Sequence, residues 1–221
     1  MVEPSLGSLS DEPRPGYFET RYVHDANRST VWRHIAEHLQ RWVPADGAVL
    51  ELGAGYCDFS NNIRAATKVA MDIDAGVKER AGAGVLTEVG DCANLDRFDG
   101  ASFDTVFASN LLEHLDRPHT LELLDGVRRV LRPGGRLVLV QPNFRLRPRE
   151  YFDDYTHVQI FTDRSLPDLL ASVGFTVEHV RARFLPLTMK SRASGLSFLV
   201  PWYLRSPIRP LAGQMLVVAQ R

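Results

Sequence analysis

The chain is short of several things, and each shortage excludes a class of protein. Of its 221 residues only two are cysteines, Cys57 and Cys92, and they form no C-x-x-C pair. That argues against a disulfide scaffold or a cysteine metal cluster and predicts reduced thiols in a cytoplasmic setting. No apolar run approaches the roughly 20 residues that cross a bilayer. Residues 1–16 carry Glu3, Asp11, Glu12 and three prolines instead of an apolar core, so no secretory leader is expected. Neither sign of charge is in excess: 26 Lys and Arg against 27 Asp and Glu leave a net charge of −1. A nucleic-acid-binding surface is therefore not expected. Internal repeats and long low-complexity tracts are missing too.

What is present suits one globular domain with a sizeable core: 44% apolar and 24% charged residues. Residues 1–23 read as a mobile segment or lid, and 24–221 as a single domain. The organising stretch is Val49-Leu50-Glu51-Leu52-Gly53-Ala54-Gly55-Tyr56-Cys57. Its apolar run reads as a parallel strand covered on both faces. Gly53 and Gly55 then allow backbone angles and a close ligand approach that a Cβ would block. A helix start follows, with Asp58 or Ser60 as N-cap. Strand, glycine turn and helix N-terminus make a nucleotide-type site. Glu51 inside the strand suits a cationic ligand group better than a pyrophosphate. Asp58 stands where a dinucleotide fold needs its third small residue, which disfavours NAD or FAD.

In chain order, apolar spacing predicts a helix over 25–42 with Val31, Ile35, Leu39 and Trp42 on one face. Strands are expected at 48–52, 68–73, 85–89, 103–109, 137–140, 175–184 and 214–220. Helices are expected at 59–66, 74–81, 118–131 and 163–173, with Leu121, Leu124, Val127, Val130 and Leu131 inward in the third of these. Such alternation implies an α/β, doubly wound, mostly parallel seven-stranded sheet in three layers, with an antiparallel last strand. Two stretches lack periodicity. The loop 143–162 concentrates Tyr151, Asp153, Asp154, Tyr155 and His157, and long loops of this kind are usually functional. The excursion 185–213 mixes Lys190, Arg192, Phe198, Trp202, Tyr203, Arg205 and Arg209, a composition fit for a lid, a dimer surface or contact with lipid headgroups.

Asp72 ends the second strand 19 residues after Gly53. A carboxylate there can accept hydrogen bonds from both ribose hydroxyls of a nucleoside. Asp74 reads as the cap of the following helix. Asp91, after the third strand, could accept from an adenine amine.

The pieces VLELGAGYC, VAMDID, GDCA, FDTVFASNLLEHL and LRPGGRLVLVQPN, in that order over residues 48–143, resemble those of class I S-adenosylmethionine-dependent methyltransferases, especially the broad type 11 group. That resemblance implies a Rossmann-like fold, S-adenosylmethionine as donor and S-adenosylhomocysteine as product. Glu51 and the Gly53-Ala54-Gly55 backbone would hold the methionine part, Asp72 with Ile73 the ribose, Asp91 and Cys92 the adenine, and Asn110 the cofactor wall. Cys57 departs from the family, where glycine is commoner; the turn is expected to survive the change. The family's metal-using members place carboxylates at the end of strand four, whereas this chain has Ser109-Asn110, so no metal is expected.

On the acceptor side, His114 follows strand four, and His157 or Asp154 could take a proton from a hydroxyl as methyl transfer proceeds. Tyr151, Asp153 and Tyr155 are the expected substrate contacts. The polar loop and the basic-aromatic excursion point to oxygen of a small-molecule acceptor, such as a bacterial sugar or lipid-linked saccharide. Methylation at carbon or nitrogen of a secondary metabolite, and a non-catalytic cofactor-binding module, are the alternatives. Cytoplasmic location with membrane association through 185–213, and a homodimer, complete the expectations.

Overall fold

The computed structural model describes residues 26–187 and 197–221. The 1–23 segment, with Lys190 and Arg192 of the excursion, lies outside the described residues. The elements in chain order are α1 (Ala26–Leu39), β1 (Ala48–Leu52), α2 (Asp58–Asn62), β2 (Thr67–Asp72), α3 (Val77–Arg80), β3 (Leu86–Val89), β4 (Phe103–Ser109), α4 (Arg117–Val130), β5 (Leu131–Pro142), α5 (Ser165–Ser172), β6 (Thr176–Pro186), α6 (Val200–Arg205) and β7 (Ala212–Gln220).

Seven strands form one sheet in the order β3-β2-β1-β4-β5-β7-β6. The first five pair in parallel, and β7 runs antiparallel between β5 and β6. Strand alternation divides the core. Along β7, Met215, Val217 and Ala219 pack on one face with Leu123, Leu124 and Val127 of α4 and Leu166 and Leu170 of α5. Leu216 and Val218 face the other side with Trp32, Ile35 and Leu39 of α1 and Leu204 of α6. The three layers follow from that alternation. The strand order reverses between β1 and β4, which opens a crevice beyond their carboxyl ends.

Several boundaries differ from the sequence-based expectation. The helix expected over 59–66 ends at Asn62, because Ile63 turns extended and the chain must reach β2 at Thr67. In α4, Leu121 is 37% exposed and Leu123 takes its inward place. The Arg132-Pro133-Gly134-Gly135 break ends α4, yet β5 begins at once from Leu131. Gly134 (φ +80) makes the bend, and a Cβ on Gly135 would stand 2.9 Å from the Arg132 carbonyl oxygen.

Candidate active site

Three left-handed residues in alternate positions build the turn after β1: Gly53 (φ +63), Gly55 (φ +50) and Cys57 (φ +56). A Cβ on Gly53 would meet the Leu111 side chain at 2.9 Å, so the turn lies against the segment leaving β4. Among the described residues, a Cβ on Gly55 would meet nothing within 4 Å. The open side of the turn is thus at Gly55, where a ligand could lie against bare backbone. Cys57 keeps the glycine-like angle at a cost of about 1–2 kcal/mol. Its side chain packs with Ala54, Ala70 and Val77. Burial pushes the thiols of Cys57 and Cys92 up to about 12. Neither is a nucleophile at neutral pH. Ellman's reagent should therefore label no thiol in the folded protein and two after denaturation; rapid labelling in the native state would contradict this geometry.

The carboxylates around the turn have specific tasks. Glu51 is 4% exposed, and one of its oxygens accepts from both the backbone N–H (2.8 Å) and the hydroxyl of Ser60. It caps α2 from within the sheet, since Cys57 at the N-cap offers no side-chain bond. Asp58, expected as a possible cap, instead pairs with Arg28 at 2.6 Å. Burial pushes the Glu51 carboxyl up to about 8, against the downward pull of the Ser60 bonds. Asp72 is 5% exposed and ties β2 to the turn, accepting from Gly55 N–H at 2.7 Å and from Asp74 N–H at 2.8 Å. Burial raises its pKa and these two bonds lower it. With one bond on each oxygen, about two acceptor positions remain for a ligand. Asp74 is not the N-cap of α3, which is Gly76; it accepts from Gly76 N–H and pairs with Arg80 at 2.6 Å. Ile73 follows Asp72 at the crevice, 39% exposed. Asp91 makes a local turn by accepting from Ala93 N–H, and Cys92 beside it is buried. Asn110, left-handed at φ +50, accepts from Gln214 of β7 at 2.8 Å. That tie was not read from the sequence, because Gln214 lies 104 residues away.

A second group gathers beyond β4. Glu113 sits in a 3-10 turn, Leu112–His114, and its carboxylate is wholly buried. Its backbone carbonyl accepts from Val158 N–H (2.9 Å) and Gln159 N–H (3.2 Å), pinning the 143–162 loop over this turn. His114 and His157 are brought ring to ring, with centroids 4.9 Å apart. Both imidazoles therefore stand together beyond β4. Asp154 stands behind them: it accepts from the Thr156 backbone and hydroxyl, and that hydroxyl lies 2.9 Å from His114 Nδ1. Through Thr156 it is linked to the His114 imidazole.

Tyr151 corrects an expectation. It is fully buried and its hydroxyl donates to the Gln159 carbonyl at 2.6 Å, so it is a packing residue and not a substrate contact. Its ring stands edge-on to His157. Burial, with the Glu113 charge, pushes that phenol well above its ordinary range. Asp153 and Tyr155 are on the exposed side of the loop. Glu113 was missed, since a lone glutamate beside a histidine carries no signal until folding buries it.

A family model described as a methyltransferase domain matches residues 22–180. The chain belongs to that methyltransferase family. It is a class I S-adenosylmethionine-dependent enzyme. Solved structures share the methyltransferase fold at low identity. One from Archaeoglobus fulgidus, described as a SAM-dependent methyltransferase, is 17% identical with a TM-score of 0.60, covering 86% of this chain and 94% of its own. One from Mesorhizobium loti, described as S-adenosylmethionine dependent, is 18% identical with a TM-score of 0.60 over 84% and 96%. The Burkholderia thailandensis 1,6-didemethyltoxoflavin-N1-methyltransferase, solved with 1,6-didemethyltoxoflavin and S-adenosylhomocysteine, is 20% identical with a TM-score of 0.58 over 93% and 84%. No curated protein sequence matches the chain. The turn fits the methyltransferase donor: Gly55 leaves its approach open, and the buried Asp72 keeps acceptor positions for hydroxyls.

Proposed function

We propose that this methyltransferase acts on an oxygen of a small-molecule or glycan-like acceptor. The observation that carries the reading is the juxtaposition of Glu113, His114 and His157 beyond β4, with Asp154 and Thr156 behind His114. The donor, when bound, supplies an electrophilic sulfonium methyl. Gly53, Ala54 and Gly55 would receive its methionine part, Asp72 and Ile73 its ribose, and Asp91 and Cys92 its adenine, with Asn110 on the wall. Glu51 acts one step back by holding α2. His114 and His157 face the acceptor side, where a neutral imidazole can remove the hydroxyl proton. The loop over them keeps water out and orients the acceptor.

Methylation at nitrogen is the second reading, supported by the N1-methyltransferase among the similar structures. A sugar or lipid-linked saccharide remains the acceptor we favour. Phe198 (64% exposed), Trp202 (74%) and Ile208 (79%) crowd the surface of the excursion beside Arg205, which suits contact with a lipid surface or a second copy of the chain. Among the described residues no helix is long and apolar enough to cross a membrane.

Isotopic methyl transfer into fractionated extract tests the reading. His157→Ala and His114→Ala should each slow transfer by about 10²–10⁴-fold while the dissociation constant for S-adenosylhomocysteine stays unchanged. If neither substitution slows transfer, the acceptor side is wrongly assigned. A product labelled on nitrogen would favour the second reading.

A further inference from the structure

Both oxygens of Glu113 are buried and accept no hydrogen bond among the described residues. A carboxylate so placed costs several kcal/mol unless something compensates it. Protonation alone does not remove the problem, because the resulting O–H would also need an acceptor, although burial does push this carboxyl up to about 8. Two imidazole nitrogens flank it: His114 Nε2 is 3.9 Å and His157 Nε2 is 4.0 Å from the same Glu113 oxygen. All three ligand-type atoms lie within 4.8 Å of one another. These distances are too long for hydrogen bonds.

The supporting contacts bear on which nitrogen of His114 offers a lone pair. Thr156 gives its only hydroxyl proton to Asp154, so the oxygen that lies 2.9 Å from His114 Nδ1 must accept. Nδ1 also lies 3.3 Å from the Thr156 carbonyl, again an acceptor. These contacts favour a hydrogen on Nδ1, which in a neutral imidazole leaves the lone pair on Nε2, turned toward Glu113. This is the arrangement in which a supporting group orients a metal-binding imidazole. The loop is equally prepared on the His157 side: Val158 and Gln159 bond to the Glu113 backbone, and the Tyr151 ring lies 4.7 Å from that of His157.

We propose that Glu113, His114 and His157 form a binding site for one divalent first-row transition-metal cation. Two imidazoles and a carboxylate suit zinc, cobalt, manganese or iron(II) better than magnesium or calcium, which prefer oxygen. Bonds of about 2.1 Å to a tetrahedral ion set ligand atoms about 3.4 Å apart, so side-chain shifts of roughly half an ångström would close the site. The cation would neutralise the buried carboxylate and present open positions to an acceptor oxygen; with both imidazole lone pairs on the cation, acidification of that hydroxyl by the cation would take the place of the imidazole base. Only that last role rests on the methyl-transfer reading; the site itself stands on its own side chains.

The test uses the untagged full-length protein, stripped with EDTA and titrated with Co²⁺ while absorption is followed, and in parallel with S-adenosylhomocysteine by calorimetry. The expected result is one equivalent of Co²⁺ with ligand-field bands that Zn²⁺ displaces. Loss of a direct ligand in Glu113→Gln or His157→Ala should weaken Co²⁺ binding by more than the ~10–100-fold typical of losing a supporting contact. Thr156→Val, which removes such a contact, should keep the stoichiometry and fall within that range. Circular dichroism checks folding; if Glu113→Gln does not fold, His157→Ala decides. Absence of saturable binding, or Co²⁺ binding unchanged in these variants, overturns the site. Homocysteine-nucleoside binding without cobalt would sink the metal site alone, whereas cobalt without S-adenosylhomocysteine would sink the donor reading alone.

Discussion

Asp72→Ala is expected to raise the dissociation constant for S-adenosylmethionine at least about a hundredfold. Three acceptor functions disappear together. The Gly55 and Asp74 N–H groups lose the carboxylate that holds the turn against β2, and the remaining acceptor positions offered to the ribose go too. Leaving a buried donor unsatisfied costs about 1–3 kcal/mol, and a hydrogen bond to a charged group is worth about 1.5–3 kcal/mol. Since 1.4 kcal/mol is tenfold in affinity, the ribose contacts alone reach the stated loss. The apo protein should also lose about 2 kcal/mol of stability, because those two N–H groups are unsatisfied with or without ligand. Asp72→Asn should fall between, as its single carbonyl oxygen can serve one N–H but not both with full strength. Calorimetric titration gives the affinity and denaturant melts the stability. Affinity within threefold of the parent would place Asp72 away from the ligand.

The second large effect concerns Glu51. Glu51→Ala leaves the Ser60 N–H and hydroxyl without their buried acceptor and opens a void behind α2. Unfolding free energy should drop by about 2–4 kcal/mol, with donor affinity falling as the turn loosens. Glu51→Gln behaves differently, because the amide oxygen can still accept from Ser60. Its effect should depend on pH. Burial raises the Glu51 pKa in the folded state to about 8 from its ordinary 4.5. A group raised in this way stabilises the fold fully below its unfolded pKa, and the benefit is lost as pH climbs through the folded one. The parent should therefore weaken between about pH 4.5 and pH 8 while the Gln variant weakens less. In metal-free protein Glu113, also raised to about 8, adds a slope of the same sign, so the variant reduces the slope without abolishing it. Denaturant titrations at pH 5 and pH 8 measure the difference. A larger pH loss in Glu51→Gln than in the parent would contradict the burial argument.

How far the sequence carried this picture varies along the chain. The parallel half was legible because its strands are buried on both faces and bounded by glycine or aspartate, as at Leu52-Gly53 and Asp72. The antiparallel end was legible from two successive final strands joined by the proline-broken excursion 185–213. Exact ends were not: Gly134 and Gly135 read as a break, while the backbone uses them to enter β5 directly. Around the turn, Glu51, Gly55 and Asp72 were singled out by type and spacing, but their bonds, Glu51 to Ser60 and Asp72 to Gly55, were not. Tyr151 was misassigned because polarity within a loop does not show whether a hydroxyl faces in or out. Glu113 could not be singled out, since its role depends on His157, 44 residues later, closing over it. Local pattern reveals residues that act through backbone geometry; residues that act through long-range enclosure need the fold.

The most direct measurement is calorimetric titration of the full chain with S-adenosylhomocysteine, beside a Gly55→Leu variant that fills the open side of the turn. The glycine turn as donor grip predicts one molecule bound per chain by the parent and no measurable binding by the variant. No heat of binding from the parent, or equal affinity in the two proteins, would contradict it.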